Sequence, residues 1–164
     1  MLFRSFNELA FAPVDLSDQA ERDEWSGDIG VGCKYFSQDA VIKLAPAAGI
    51  ALDAAMTPAE KLKAVQQLAE RGDAQALAIF RDIGVYLGHT LPLYATVYDL
   101  KHLLVLGRVA SGAGGEVIVA ECRRVLAEEY PALAVSVTLP DEAFRRVGQS
   151  MAAASLPTAS LPEV

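Results

Sequence analysis

The most informative part of the sequence is HLLVLGRVASGAGG, residues 102–115. Its first five residues form a short continuous apolar run, which is typical of a strand buried on both faces. The glycines and small residues after Leu106 predict a loop, and the apolar pattern beyond it predicts a helix that ends before Pro131. The inward face of this helix is expected to carry Ile118, Cys122, Val125 and Leu126.

A second strand is predicted at 134–139, where the residues read AVSVTL. Asp141 is then expected to cap a final helix, whose inward positions are Phe144, Val147, Met151 and Ala154. The resulting order, helix–strand–loop–helix–strand–helix, indicates an α/β layer with at least two parallel strands. We expect Leu103–Leu106 to be a central parallel strand in it.

Capping signals predict further helices before this stretch. Ser37 is a candidate N-cap for a helix that Pro46 and Gly49 weaken. The sequence Thr57-Pro58-Ala59-Glu60 is a capping box with proline at the first helical position. The helix that it begins is expected to end at Gly72.

The longest predicted helix runs from about Ala74 to about Tyr98, is capped by Asp73 and carries a kink at Pro92. It is expected to pack on the strand at Leu103–Leu106. Gly84 and Gly88 lie four residues apart, which leaves one face of this helix without side chains. Glycine permits close approach of another element, which is either a neighbour in the same domain or a second copy of the chain.

The chain has 164 residues, which favours a single domain. We place this domain at 1–154, with an irregular, acidic segment at 1–36 and a flexible tail at 155–164. A content of 52% hydrophobic and 21% charged residues excludes intrinsic disorder, and a net charge of −7 disfavours nucleic-acid binding. Neither a signal peptide nor a run of about 20 apolar residues is recognisable, so we expect a cytoplasmic protein with no membrane partner.

The glycine-rich loop has two interpretations. Between a strand and a helix it would place backbone N–H groups at the carboxyl edge of the sheet, where ligands of α/β proteins bind. Two phosphate motifs do not fit, however. Gly107 and Gly112 have Walker A spacing, but Ala113-Gly114 replaces the lysine and hydroxyl, and Val117 stands where a dinucleotide fingerprint needs its third glycine. The loop is therefore either a nucleotide contact or only a tight turn.

Other reactive side chains give weaker signals. Cys33 and Cys122 lie far apart and outside any Cys/His cluster, so a structural zinc site is unsupported. His89 and His102 have no carboxylate or second histidine at ligand spacing, and we expect structural roles for both. Trp25 is either a stacking platform or a residue that packs against the domain.

Several of these segments together resemble one protein family. They are 103–115, 141–157, Asn7–Val14, and Tyr35-Phe36-Ser37 with Ala40-Val41. Their order and spacing resemble the second half of the ROK family (repressors, open reading frames and sugar kinases) of the actin/hexokinase superfamily. The resemblance implies a ribonuclease H-like, actin-like ATPase C-terminal lobe, with a mixed sheet whose parallel strands are packed by helices.

The resemblance also implies site residues. Glu8 matches a sugar-contacting glutamate of the family, and four loop residues would face the nucleotide: Gly107, Arg108, Ser111 and Gly112. ATP, Mg²⁺ and a sugar are the implied ligands.

This chain departs from the ROK family in three ways. Phe11 stands where a histidine of the family binds sugar and zinc, and the stretch from Gly27 to Cys33 offers one thiol in place of a zinc-binding cysteine cluster. We therefore expect no zinc. The phosphate-binding loop and the catalytic aspartate would precede Met1, so no catalytic residue is assigned.

Two functions follow from the resemblance. The first is the sugar- and nucleotide-binding lobe of an ATP-dependent sugar kinase, inactive alone and completed by a missing N-terminal lobe. The second is a non-catalytic sugar-sensing or dimerisation module, as in ROK repressors. We expect a homodimer, because a lobe without its partner leaves an apolar face uncovered.

Overall fold

The computed structural model describes residues 9–140. Within this range the chain is mixed α/β, with five helices and two short strands. In chain order they are α1 (Cys33–Phe36), α2 (Gln38–Ala47), α3 (Pro58–Glu70), α4 (Ala74–Ala95), β1 (His102–Leu104), α5 (Gly112–Glu129) and β2 (Ser136–Thr138). Short 3-10 turns lie at Leu9–Phe11 and Arg108–Ala110. The predicted final helix from Asp141 and the tail at 155–164 lie outside the described residues.

Side-chain caps fix where the helices begin. The Thr57 hydroxyl accepts a hydrogen bond from the Glu60 amide (3.4 Å), and the Glu60 carboxylate accepts one from the Thr57 amide (2.8 Å). The predicted capping box of α3 is thus confirmed. Gly72, with a φ of +80°, lies just beyond the end of this helix, as predicted. The predicted caps of α2 and α4, Ser37 and Asp73, also accept hydrogen bonds from first-turn amides.

The long helix α4 is shorter than predicted and has a different main partner. It continues through Pro92 and ends at Ala95, three residues before Tyr98. Its most extensive contact is with α5, not with β1. Gly84 and Gly88 lie in this contact: a Cβ on Gly84 would be 2.7 Å from the Ile118 carbonyl oxygen, and one on Gly88 would be 2.7 Å from the Val125 Cβ. The bare face of α4 is therefore covered by a neighbour in the same domain, and it is not an open surface for a second copy.

The two strands form a parallel pair, as predicted, with Leu103 opposite Val137. One face of the pair meets the core, where Val137 is fully buried and Leu103 half-buried. The other face is open, since the side chains of Leu104 and Leu106 are 52% and 46% exposed. The expectation of a strand buried on both faces was wrong, because no layer in residues 9–140 covers this second face. The described sheet has two strands, so β1 is not central in it, and a ribonuclease H-like sheet is not seen.

The hydrophobic core lies between the helices. Its largest fully buried side chains come mainly from the inward faces of α3, α4 and α5: Phe80, Leu62, Ile79, Ile83, Leu91 and Ile118. The predicted inward residues of α5, among them Cys122 and Val125, are also buried. No helix among the described residues is long and apolar enough to cross a membrane.

The acidic segment before α1 is built from turns. Two isolated antiparallel bridges hold it together, Pro13 with Val31 and Arg22 with Ile29. The segment is less irregular than predicted at its end, because the short helix α1 begins at Cys33.

Candidate functional site

A groove of about 570 Å³ lies beside β1 in the described part of the chain. One wall is the continuous stretch 103–109, and the opposite wall is formed by α1 and the start of α2, with Leu87 of α4 between them. The volume lies within the range of about 300–1,000 Å³ that is usual for small-molecule sites. A wall made of seven consecutive residues means that the groove follows the main chain of β1 and the loop after it.

The edge of β1 that faces away from β2 has no strand partner within residues 9–140. The Val105 amide donates to the Thr138 carbonyl (2.9 Å), and the Lys101 carbonyl accepts from the Ser136 amide (2.9 Å). Lys101 and Val105, the residues that flank β1, therefore direct these backbone groups toward β2, and so does Leu103 between them. By the alternation of a parallel ladder, the backbone groups of Leu104 and its even-numbered neighbours point to the opposite edge.

Only two of the four predicted nucleotide residues line this groove. Gly107 and Arg108 do so, at the carboxyl end of β1, whereas Ser111 and Gly112 do not. Gly107 has a φ of +107° and no atom near the position of a Cβ, so its backbone is open to a ligand. Arg108 is exposed and begins a 3-10 turn inside the predicted loop.

The start of α5 is occupied by a side chain of the protein itself. The Glu70 carboxylate, at the end of α3, accepts a hydrogen bond from the Ala113 amide (2.7 Å). One turn earlier on α3, the Gln66 amide group donates to the Arg108 carbonyl (2.8 Å). A carboxylate thus takes the place at the helix N-terminus where an anionic ligand would be favoured. This contact was not predicted, because Glu70 and Ala113 are 43 residues apart in sequence.

The polar side chains on the opposite wall do not form a reactive centre. Burial, together with the nearby Asp23 carboxylate, raises the pKa of the Cys33 thiol to about 11. Cys33 is therefore a protonated thiol at neutral pH, which is a poor nucleophile. Asp39, also in this wall, forms an ion pair with Lys34 (3.2 Å).

The remaining candidates lie outside the groove lining. His89 Nδ1 is 3.0 Å from the Tyr130 hydroxyl, and its Nε2 is 3.7 Å from a Glu129 carboxylate oxygen, a partner that the sequence spacing did not reveal. His102 is exposed at the start of β1. Trp25 is 67% exposed, and its ring lies 5.7 Å from that of Phe11.

The structure does not describe the predicted sugar contact, and no metal-ligand cluster is seen among the described residues. Glu8, the predicted sugar contact, lies outside them. Within residues 9–140 no group of three or more His, Cys, Asp or Glu side chains is placed to hold a metal ion. The Phe11 side chain offers no donor atom for a metal ion.

Comparisons of the chain with protein-family models, with curated proteins and with solved structures gave no match. The resemblance to the ROK family therefore depends on the sequence motifs alone, and the groove has to be interpreted from its own geometry.

Proposed function

We propose that this chain is the C-terminal lobe of a ROK-like ATP-dependent sugar kinase, and that it is inactive until a second lobe completes it. The observation that carries the proposal is the open edge of β1 beside the groove. Parallel sheets normally have both faces covered, and a pair of short strands is at most marginally stable without further strands or layers. Within residues 9–140 the sheet has one covered face and one unpaired edge, as a lobe without its partner would have.

The groove also fits the kind of contact that a second lobe would make. The unpaired edge of β1 offers backbone donors and acceptors to an added strand, and Leu104 and Leu106 offer exposed apolar side chains beside them. Once a strand is added, Gly107 and Arg108 lie at the carboxyl ends of the strands, between the two lobes. Ligands of α/β sheets bind in that position.

The geometry narrows the nucleotide contact that the resemblance implies. Because the Glu70 carboxylate accepts from the Ala113 amide, that donor at the start of α5 is already used and is not vacant for a phosphate. We therefore expect the nucleotide to contact the open backbone of Gly107 and the guanidinium of Arg108, a group that binds phosphate oxygens well. The second lobe would supply the general base and the phosphate loop on which phosphoryl transfer depends.

A split-enzyme experiment tests this function. The chain is mixed with a separately produced N-terminal lobe of a ROK sugar kinase, and binding and ATP-dependent phosphorylation of a hexose panel are measured. We expect no turnover from the chain alone, and binding with turnover from the mixture. Leu104→Lys should abolish binding, whereas Val97→Lys, at a 75% exposed position outside the groove lining, should not. Equal binding by the two variants, or turnover by the chain alone, would contradict the proposal.

The second candidate function is a sensing or dimerisation module, which the same exposed edge also favours. Two copies would then pair through β1, and light scattering at micromolar concentration should give twice the 17.4 kDa mass of one chain. In that case Leu104→Lys converts the dimer to a monomer, and adding a kinase N-terminal lobe has no effect on the mass.

A further inference from the structure

Lys34 is a buried cation that joins two parts of the chain. It is 6% exposed, and its ammonium lies 2.9 Å from a Glu24 carboxylate oxygen and 3.2 Å from an Asp39 carboxylate oxygen. Glu24 lies in residues 15–31, the part of the acidic segment that is meant from here on, whereas Asp39 lies in the first turn of α2. One side chain therefore ties the segment to the helical part of the domain.

The acidic segment has further ties around the same point. The Tyr35 hydroxyl donates to the Asp15 carboxylate (2.6 Å), and the Lys43 ammonium lies 2.6 Å from a Glu21 carboxylate oxygen. In each case a residue of α1 or α2 holds a carboxylate of the segment. Lys34 differs from Lys43 because it is buried, where a charge is tolerated only when it is paired.

The segment is also closed internally around Asp23, which is 8% exposed. Its carboxylate accepts a hydrogen bond from the Ser26 amide (2.7 Å), and its carbonyl accepts one from the Gly27 amide (2.8 Å). The Asp23 amide donates in turn to the Asp28 carbonyl (2.8 Å). These bonds form a tight turn over residues 23–28. Glu24, which pairs with Lys34, is the second residue of this turn.

We propose that Lys34 is the cation that organises the acidic segment 15–31, so that the segment keeps its conformation without a metal ion. The ROK resemblance implies a zinc-binding loop at this place, but within residues 9–140 no three His, Cys, Asp or Glu side chains converge, whereas structural zinc takes four ligands in a closed site. Cys33, two residues beyond this segment, offers a single thiol, and the ammonium of the neighbouring Lys34 already lies on carboxylate oxygens of Glu24 and Asp39. The inference stands on these contacts whether or not the chain is a kinase lobe.

Hydrogen exchange of the backbone amides of Asp23, Gly27 and Gly30 tests this inference, with the amides of α4 as the reference. Each of the three amides donates a backbone hydrogen bond within the segment. Lys34→Met keeps the apolar stem and removes the charge, and we expect it to lower protection of the three amides at least tenfold while α4 is unchanged. Lys34→Arg should retain most of the protection. Lys63→Met, at an exposed position on α3, is the matched control and should change nothing.

Wild-type protein treated with EDTA should keep full protection of the three amides. Loss of protection in EDTA, recovery of the Lys34→Met variant on titration with zinc, or unchanged protection in Lys34→Met would each overturn the inference. If Lys34→Met unfolds the whole domain, the double variant Glu24→Gln with Asp39→Asn replaces it. In that variant the amides of Asp23, Gly27 and Gly30 should lose protection while those of α4 keep it. If this variant also unfolds globally, Lys34 stabilises the whole domain and not the segment, and the inference is wrong.

Discussion

Replacing Gly84 by alanine should destabilise the protein, although alanine is the better helix former. Gly84 lies in the middle of α4, where it meets α5. An added Cβ would lie 2.7 Å from the Ile118 carbonyl oxygen and 2.8 Å from the Glu121 Cβ. Both atoms belong to α5 close to its backbone, so neither moves without a shift of the helix itself.

Two opposing terms set the size of the effect. Glycine to alanine in a helix interior gains about 1 kcal/mol of helix propensity. Overpacking a well-packed contact costs about 1–3 kcal/mol, and the two close approaches place this site in the upper part of that range. We therefore expect Gly84→Ala to lower the free energy of unfolding by about 1–2 kcal/mol. With a urea m value of about 2 kcal/mol/M, the midpoint falls by roughly 0.5–1 M.

Urea unfolding followed by circular dichroism measures this change. Ala120→Gly on the exposed face of α5 is the control, and it should cost about 1 kcal/mol through propensity alone. Gly88→Ala should behave like Gly84→Ala, because its Cβ would lie 2.7 Å from the Val125 Cβ. A midpoint that stays the same or rises in Gly84→Ala would refute the close contact of α4 with α5. The oligomeric state should not change, since α5 already covers this face.

Three further outcomes are expected. Thr57→Ala removes the N-cap of α3 and should cost about 1 kcal/mol in urea unfolding, with a serine at that position restoring most of it. The hydrogen bond from the Tyr35 hydroxyl lowers the pKa of Asp15 below its ordinary value of 3.8. The stability that this bond contributes is therefore complete above pH 3.8 and is lost as the pH falls through the pKa of the folded state. Tyr35→Phe should return the Asp15 pKa toward 3.8 in a carboxyl NMR titration, and an unchanged pKa would contradict the hydrogen bond. Glu70→Ala should speed hydrogen exchange of the Ala113 amide at least tenfold, and an unchanged rate would show that the carboxylate does not hold it.

Local signals in the sequence predicted where α2, α3 and α4 begin, but they missed α1 and the start of α5 at Gly112, which lies inside the predicted glycine-rich loop. The caps at Thr57 and Asp73 act within three residues, so the sequence contains both partners of each hydrogen bond. The end of α4 was less well predicted, because the apolar spacing continues to Val97 while the helix stops at Ala95. Val97 is 75% exposed, so spacing alone does not distinguish a buried helix face from an apolar residue just beyond it.

The burial of β1 could not be predicted from its composition. A continuous apolar run is typical of a strand covered on both faces, yet here Leu103 meets the core while Leu104 and Leu106 are exposed. Whether a second face is covered depends on which other elements are present, and that information lies outside the run itself. The parallel pairing was predictable, because it follows from the crossover through α5 between two strands.

The glycine-rich loop shows why a motif does not identify a ligand site without its three-dimensional neighbours. A Cβ on Gly114 would lie 2.7 Å from the Phe80 ring, and one on Gly115 would collide with the Ala110 carbonyl oxygen, so these two glycines serve packing inside the domain. A Cβ on Gly112 would lie 2.0 Å from a carboxylate oxygen of Glu70. Since α5 begins at Gly112, Gly107 is the one of these four glycines that lies before the helix; it has open space where a side chain would be, and it lines the groove. Gly114 and Gly115 are thus explained by close packing and Gly112 by its φ of +64°, so a ligand or a second lobe, as proposed above, would have to approach at Gly107.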